Sequence, residues 1–396
     1  MKAYKIGNIE IVRYGDETED TLNVSSEYLS ESLELIKGHN YKRISVMGDY
    51  NLPDIDFLKE CPHIEILNLS GGNIKDFEGL SFLENLKTLS MNHLDKKVKV
   101  DLGKLTSLKE LYGELPTRAT GLSNLKNLKR MQIWDYKPHS KTFAELGEIK
   151  NLEVLHLIQA KIESFEGIGQ FRALQELNLY GLNKLTDISD IGLLKNTLRE
   201  LIMENCKNIQ DFSPIGEMKN LENLTLLSCL SMKSIAFAKE LPKLNFFNFE
   251  KTDVEDGDLS YCQMIPTVYF TQKKHFSHKR KDLINTRMEN ILYPTLFWRE
   301  RMEEGDDMFT LENILATEKA LNDYLETIKD LKEKTSPKTL LTCVKEVVLK
   351  INVLNEKYNY FIETAEREEL HEYILSVSEL AGLETKSDIT DEWRDW

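Results

Sequence analysis

Ile64-Glu65-Ile66-Leu67-Asn68-Leu69 sets apolar residues at its first, fourth and sixth positions, and that spacing returns along most of the chain. It recurs at Leu86, Leu89 and Met91, at Leu152, Leu155 and Leu157, and at Leu174, Leu177 and Leu179. It recurs again at Leu198, Leu201 and Met203 and at Leu221, Leu224 and Leu226. Weaker copies begin at Tyr41, Leu108, Leu128, Leu244 and Ile265, with Gly113 in the third slot of the Leu108 copy. Successive copies start 23, 22, 22, 20, 24, 22, 24, 23, 23 and 21 residues apart. A unit this short cannot bury its own apolar face and must stack on its neighbours. Each copy therefore reads as one short strand pointing its apolar side chains into a narrow core. The residues between them point out, because side chains alternate along a strand.

Eleven copies in phase near a 22-residue period are the signature of a leucine-rich repeat solenoid, an α/β solenoid with a concave parallel sheet. The second half of a unit carries a further apolar set, as in Ile74, Phe77, Leu80 and Leu83, and should return on the convex side as irregular or 3₁₀-like structure. The short units Asn73-Ile74-Lys75-Asp76-Phe77-Glu78-Gly79-Leu80 and Lys161-Ile162-Glu163-Ser164-Phe165-Glu166-Gly167-Ile168 resemble the bacterial internalin-type repeat. The resemblance covers roughly residues 41–272. It breaks at one slot, three residues after the third apolar position, where the family has Asn or sometimes Cys. Here that slot holds Gly72, Leu94, Pro116, Tyr136, Ala160, Leu182, Cys206, Cys229 and Thr252. Only the two Cys fit, so the family's Asn ladder is absent and the repeat geometry is free to be irregular.

The outward strand positions carry the functional reading. Tyr112, Arg130, Trp134, His156, Ile158 and Tyr180 fall at outward slots of four consecutive repeats. Water disfavours large apolar groups there, and Tyr, Trp and Arg dominate the energetics of protein interfaces. The six are the candidate protein-binding residues. The competing reading has them pack on one another or beneath a loop of this chain, and the turn at Pro138-His139-Ser140 is long enough to shade Trp134.

Around the solenoid the chain divides into an N-terminal cap (1–40), a basic linker (273–285) and an acidic helical domain (286–396). In the cap, Ile9, Ile11 and Val12 suggest a strand. Leu29, Leu33 and Ile36 suggest a helix face, with Ser25 or Ser26 as its N-cap and Gly38 as its stop. Lys-Lys-His-Phe-Ser-His-Lys-Arg-Lys (273–281) reads as a solvated link, and His275 and His278 lack the further ligands a metal needs. Beyond it the apolar period becomes helical, at Leu311 to Leu331, Val344 to Leu354 and Leu370 to Leu380, giving about four helices. Ser336-Pro337 starts one helix and Gly382 ends another. Residues 286–396 hold 14 Lys and Arg against 25 Asp and Glu, a net of −11. Glu366-Arg367-Glu368-Glu369 reads as a solvated helix face. That helix and the tail Asp388-Ile389-Thr390-Asp391-Glu392-Trp393-Arg394-Asp395-Trp396 resemble the C-terminal segment of small acidic immunity-type bacterial proteins, over about 40 residues. The plainer reading folds Trp393 and Trp396 back onto the bundle.

Hydrophobic content of 41% suffices for a packed core, and a net charge of −15 disfavours nucleic acid and anionic membranes while suiting a basic protein partner. Five Cys without C-x-x-C spacing give neither a zinc motif nor a disulfide framework. Cys206 and Cys229, one repeat apart, read as stacked reduced thiols. The N-terminus lacks an apolar signal region and no run of 18 apolar residues occurs. A cytoplasmic protein with no cofactor and no small-molecule substrate is expected. Phosphate-loop, H-E-x-x-H and G-x-S-x-G motifs are missing, and Leu375 stands where a second zinc-binding His would follow His371-Glu372. Bacterial effector ubiquitin ligases also join leucine-rich repeats to a helical domain, with a nucleophilic Cys. The candidate here would be Cys343, but the family's Cys-x-Asp pattern is missing and Cys343 falls beside core positions of its helix. The expectation is thus a non-catalytic binding protein, either immunity or antitoxin-like or a scaffold or regulator with an endogenous partner.

Overall fold

The computed structural model describes residues 2–13, 20–279, 283, 291, 293–331, 335–385 and 387–396. The chain forms two compact units: Met1–Gly257 with Val268–Thr271, and Asp258–Thr267 with Gln272–Trp396.

The first unit is built on a 14-stranded sheet. Lys2–Ile6, Ile9–Arg13 and Thr21–Asn23 pair antiparallel at one end. From Thr21–Asn23 through Arg43–Val46, Ile66–Ser70 and onward to Phe246–Asn248, every step is parallel. The register keeps the repeats in phase. Leu155, Leu177, Leu201 and Leu224 align in one row, and Leu157, Leu179, Met203 and Leu226 in a second. Both rows are fully buried, and burying each such side chain is worth about 2 kcal/mol. The apolar set of the return also lies inside: Ile74, Phe77, Leu80 and Leu83 are buried around the 3₁₀ turn Glu78–Phe82. The template read from Ile64 to Leu69 is therefore a leucine-rich repeat, with its strands side by side.

Two devices tie neighbouring repeats together in the absence of the Asn ladder. Asn85, Asn127, Asn151 and Asn220 each precede the first apolar residue of a copy. Their side-chain amides donate to the carbonyls of Pro62, Thr106, Lys126 and Asn196, one repeat back, at 3.2, 2.8, 2.6 and 2.9 Å. At the other end of the strands the backbone turns left-handed. Gly71, Asp135, Gln159, Gly181, Asn205 and Ser228 all have positive φ. Their N–H groups donate to Asn92, Ile158, Tyr180, Glu204, Leu227 and Glu250 of the next repeat. The following slot then points inward. Cys206 and Cys229 are fully buried and free. Thr252 also serves there: its hydroxyl donates to the Leu226 carbonyl at 2.6 Å and accepts the Cys229 N–H at 2.9 Å.

The cap helix spans Leu29–Gly38, with Ile36 and Ser32 buried. Its N-cap is Tyr28, not Ser25 or Ser26. Ser26 is committed elsewhere, its hydroxyl donating to the Asp49 carbonyl and accepting the Asn51 N–H.

In the second unit four helices are described, Pro294–Glu303, Leu311–Lys329, Pro337–Lys357 and Thr364–Leu380. Thr310 and Asn313 cap the second reciprocally, and Ser336 caps the third just before Pro337. Trp298, Leu321, Val344, Ile351 and Ile374 centre the core. The Glu-Arg-Glu-Glu run is not the solvated face its composition suggests. Glu366 is 3% exposed and Glu369 half-buried, and they receive Arg301 at 2.5 and 2.6 Å while Trp298 Nε1 donates to Glu369 at 2.7 Å. The tail packs on this bundle: Ile389 and Thr390 are buried, and Trp393 and Trp396 lie against the core. Of the basic stretch, Arg280 and Lys281 lie outside the described residues. Phe276 within it is buried, and Ser277 Oγ accepts the Leu259 N–H at 2.9 Å.

Candidate protein-binding face

The six candidate residues lie on four adjacent strands, Glu110–Glu114, Arg130–Trp134, Val154–Ile158 and Glu176–Tyr180. All six occupy the face opposite the leucine rows and all are half-buried. Register sorts them into three rows. Trp134, Ile158 and Tyr180 are consecutive in one, between Glu114 and Glu204. Tyr112 and His156 share the middle row with Gln132, Asn178 and Ile202. Arg130 stands in the third, between Glu110 and Val154. Tyr112 is thus a diagonal neighbour of Arg130 and Trp134, outside the aromatic row itself.

Local structure explains the edge of the patch. Gly113 sits at an inward position with φ of +111°, and a β-carbon there would lie 1.9 Å from the Met91 carbonyl oxygen. The third apolar slot of that copy is empty because a neighbouring backbone occupies it. Trp134 borders a small cleft with Leu94, Leu115 and Pro116. Next to it Asp135 receives both Lys96 and Lys137, and Lys96 above all holds its carboxyl below the ordinary range. The Pro138–Ser140 turn is fixed by the Glu145 carboxylate, which accepts the His139 and Ser140 N–H groups.

His156 has partners that its own slot does not reveal. Its Nε2 lies 2.5 Å from Glu176 Oε1, which also accepts the Asn178 side-chain amide at 2.8 Å. Asn178 is 3% exposed although its slot points outward, because its neighbours cover it. The signal was available: Glu176 and Asn178 occupy the outward slots one repeat beyond His156. Burial raises the Tyr112 and Tyr180 hydroxyls above the ordinary phenol value, so both remain neutral donors at physiological pH. Five carboxylates, Glu110, Glu114, Glu176, Glu200 and Glu204, share the face with one permanent cation, Arg130. Among the described residues Glu114, Glu200 and Glu204 have no ion-pair partner.

Catalytic candidates fare differently. Cys343 is 8% exposed and burial pushes its thiol up, which leaves little thiolate to act as a nucleophile. His371 is held by Asp388 at 2.9 Å. Among the described residues no group of His, Cys, Asp and Glu is placed to hold a metal ion, and no helix is long and apolar enough to cross a membrane.

No family model matches the chain, and no curated protein matches it. Solved structures do. An internalin (inlF) from Listeria monocytogenes is 17% identical, covering 64% of this chain and 87% of its own, with a TM-score of 0.43. The leucine-rich repeat domain of the type III effector XopL is 16% identical, covering 56% and 81%, with a TM-score of 0.43. A leucine-rich repeat protein of Leptospira interrogans is 16% identical, covering 68% and 81%, with a TM-score of 0.39.

Proposed function

We propose that this protein binds another protein on the outward face of its sheet and performs no chemistry of its own. The observation behind the reading is the row Trp134–Ile158–Tyr180, half-buried side chains in register on adjacent strands, bordered by carboxylates without ion-pair partners among the described residues. Such a surface suits a partner that offers an apolar anchor amid Lys and Arg, since complementary charge sets orientation and association rate. Arg130 adds a planar cation able to grip a carboxylate or a carbonyl. An immunity or antitoxin-like role, in which an acidic protein covers a basic toxin, is the sharper form of this reading. A regulator with an endogenous partner is the broader one. The five buried cysteines, none of them in a disulfide among the described residues, fit a reducing cytoplasm.

The test begins with a partner captured from the source cell and titrated against wild type and Trp134→Ala, beside thermal melts of both. Binding should weaken by about 2 kcal/mol or more, with the melting temperature nearly unchanged, because an outward side chain leaves no core cavity. Unchanged affinity with a lowered melt would return Trp134 to the protein's own packing. A toxin gene beside this one favours the immunity form.

A further inference from the structure

Two strands of the outward face, Glu176–Tyr180 and Glu200–Glu204, carry charges that the chain itself leaves unanswered. Glu176 and Glu200 stand directly opposite each other in register, and Glu204 stands opposite Tyr180. Like charges facing each other across a strand pair destabilise a sheet. Elsewhere in the same row such a charge is answered: Glu110 stands beside Arg130 and accepts the Thr88 hydroxyl at 3.1 Å. Here only one side is. Glu176 holds His156 and the Asn178 amide, whereas Glu200 has no side-chain partner among the described residues, and Glu204 accepts the Asn205 amide at 3.3 Å. Burial first, then Glu204, Glu200 and Glu176 in turn, raise the Tyr180 hydroxyl, so all three carboxylates act on one point of the face.

Asn178 lies in the middle of this group, between His156 and Ile202 in register. It is 3% exposed, and its side-chain oxygen is buried with no hydrogen-bond partner among the described residues. Glu176 settles which end of the amide faces it. Only the amide nitrogen can donate to a carboxylate, which it does at 2.8 Å, and the same nitrogen lies 2.9 Å from His156 Nε2. The oxygen is thereby turned away from His156, to the side of Glu200 and Glu204. A buried acceptor without a donor is costly, and carboxylates surround this one. The spot lacks a donor that carries positive charge.

We propose that it is a subsite for an arginine side chain of the protein partner, whose guanidinium is held by Asn178 Oδ1, Glu200 and Glu204. The subsite rests on the protein-binding reading of this face and names a group that the partner must bring. The spread of the acceptors selects a guanidinium. Neighbouring strands lie about 4.8 Å apart, and Glu200 and Glu204 lie about 13 Å apart along theirs. Among the described residues no such group is placed to hold a metal ion. A planar fork of five donors bridges separated acceptors, whereas an ammonium is a point charge. The guanidinium enters between Tyr180 and Ile202, the half-buried neighbours of Asn178. Its flat face can lie on the Tyr180 ring and its aliphatic stem along Ile202.

The test titrates N-acetyl-arginine amide and N-acetyl-lysine amide into the full chain, isotopically labelled at asparagine, and follows the Asn178 side-chain amide by NMR at about 0.05 M salt. The arginine probe should shift that signal saturably, and the lysine probe should need about ten times the concentration or more. Glu200→Gln should weaken the arginine probe by about tenfold or more. Its melting temperature should be unchanged or higher, because the repulsion with Glu176 is gone. Glu204→Gln gives the same binding readout should Glu200→Gln fold poorly. Glu222→Gln removes a carboxylate that Arg199 already holds, and should bind the probe as wild type does. No saturable shift, equal affinity for the two probes, or the same loss in Glu222→Gln overturns the subsite. A captured partner separates the subsite from the face. Partner binding that needs Trp134 and not Glu200 keeps the face and overturns the subsite. Probe binding that needs Glu200, with no partner that needs Trp134, keeps the subsite and overturns the face.

Discussion

Thr252 shows how much one side chain can carry in a stacked repeat. Its hydroxyl is fully engaged, donating to Leu226 and accepting from Cys229, in the buried core. Thr252→Val keeps the shape and strands both backbone groups, so it should lower stability by about 2 kcal/mol in urea unfolding. A loss under a few tenths would mean that the backbone re-pairs on its own. At this scale the sequence was half legible. The period alone placed Cys206, Cys229 and Thr252 at one repeat position and the two Cys in the core. Burial then raises the two thiols to about 11 and about 12, as befits inert core groups. What the period could not tell is which carbonyl a hydroxyl at that position meets, because that depends on the path of the neighbouring turn. The outward slots show the same limit. Trp134, Ile158 and Tyr180 could be assigned to one face, yet the burial of Asn178 beneath its neighbours depends on side-chain packing.

Among the elements, the helices were legible as helices and their polar faces were not. Helical spacing of apolar residues marked the bundle, but four charged residues in a row hid the fact that Glu366 and Glu369, three apart, share a side. That side holds Arg301 and the Trp298 indole. The tail is fastened by a second polar cluster. Asp388 receives Arg394 at 2.7 Å and His371 at 2.9 Å, and Asn352 donates to the Trp393 carbonyl at 2.8 Å. Burial alone would raise the Asp388 carboxyl, but Thr390, His371 and Arg394 outweigh it and hold it below the ordinary range. A carboxyl lowered in the folded state stabilises fully above its unfolded value of about 4. That contribution disappears as pH falls through the lower folded value. Acid should therefore loosen the tail, seen as a fall in amide protection, relative to the intrinsic exchange rate at each pH, at Thr390 to Arg394. In Asp388→Asn the protection should be low already at neutral pH and change little on acidification. An identical acid response in both proteins would assign the effect to another group.

For the molecule as a whole, a stack is only as sound as its ends. Ile9–Arg13 and Thr21–Asn23 close the sheet edge beside Arg43–Val46, and Ile36 of the cap helix is fully buried. Removing residues 1–40 should bare Ile44 and Val46 together with an open strand edge. The expected outcome is aggregation on gel filtration and loss of a single sharp melt; a soluble, cooperatively melting truncation would show the cap to be dispensable. The left-handed turns have a different consequence. One backbone station next to the outward face is held by Gly71, His93, Asp135, Gln159, Gly181, Asn205, Ser228 and Lys251 in turn. Where its hydrogen bond to the next repeat forms, the station contributes an amide proton, so proline alone is barred and any other L-residue costs about 1 kcal/mol there relative to glycine. Lineages of this protein can therefore rewrite the border of the sheet one residue at a time, acid for base or polar for small, while the leucine rows beneath keep their register.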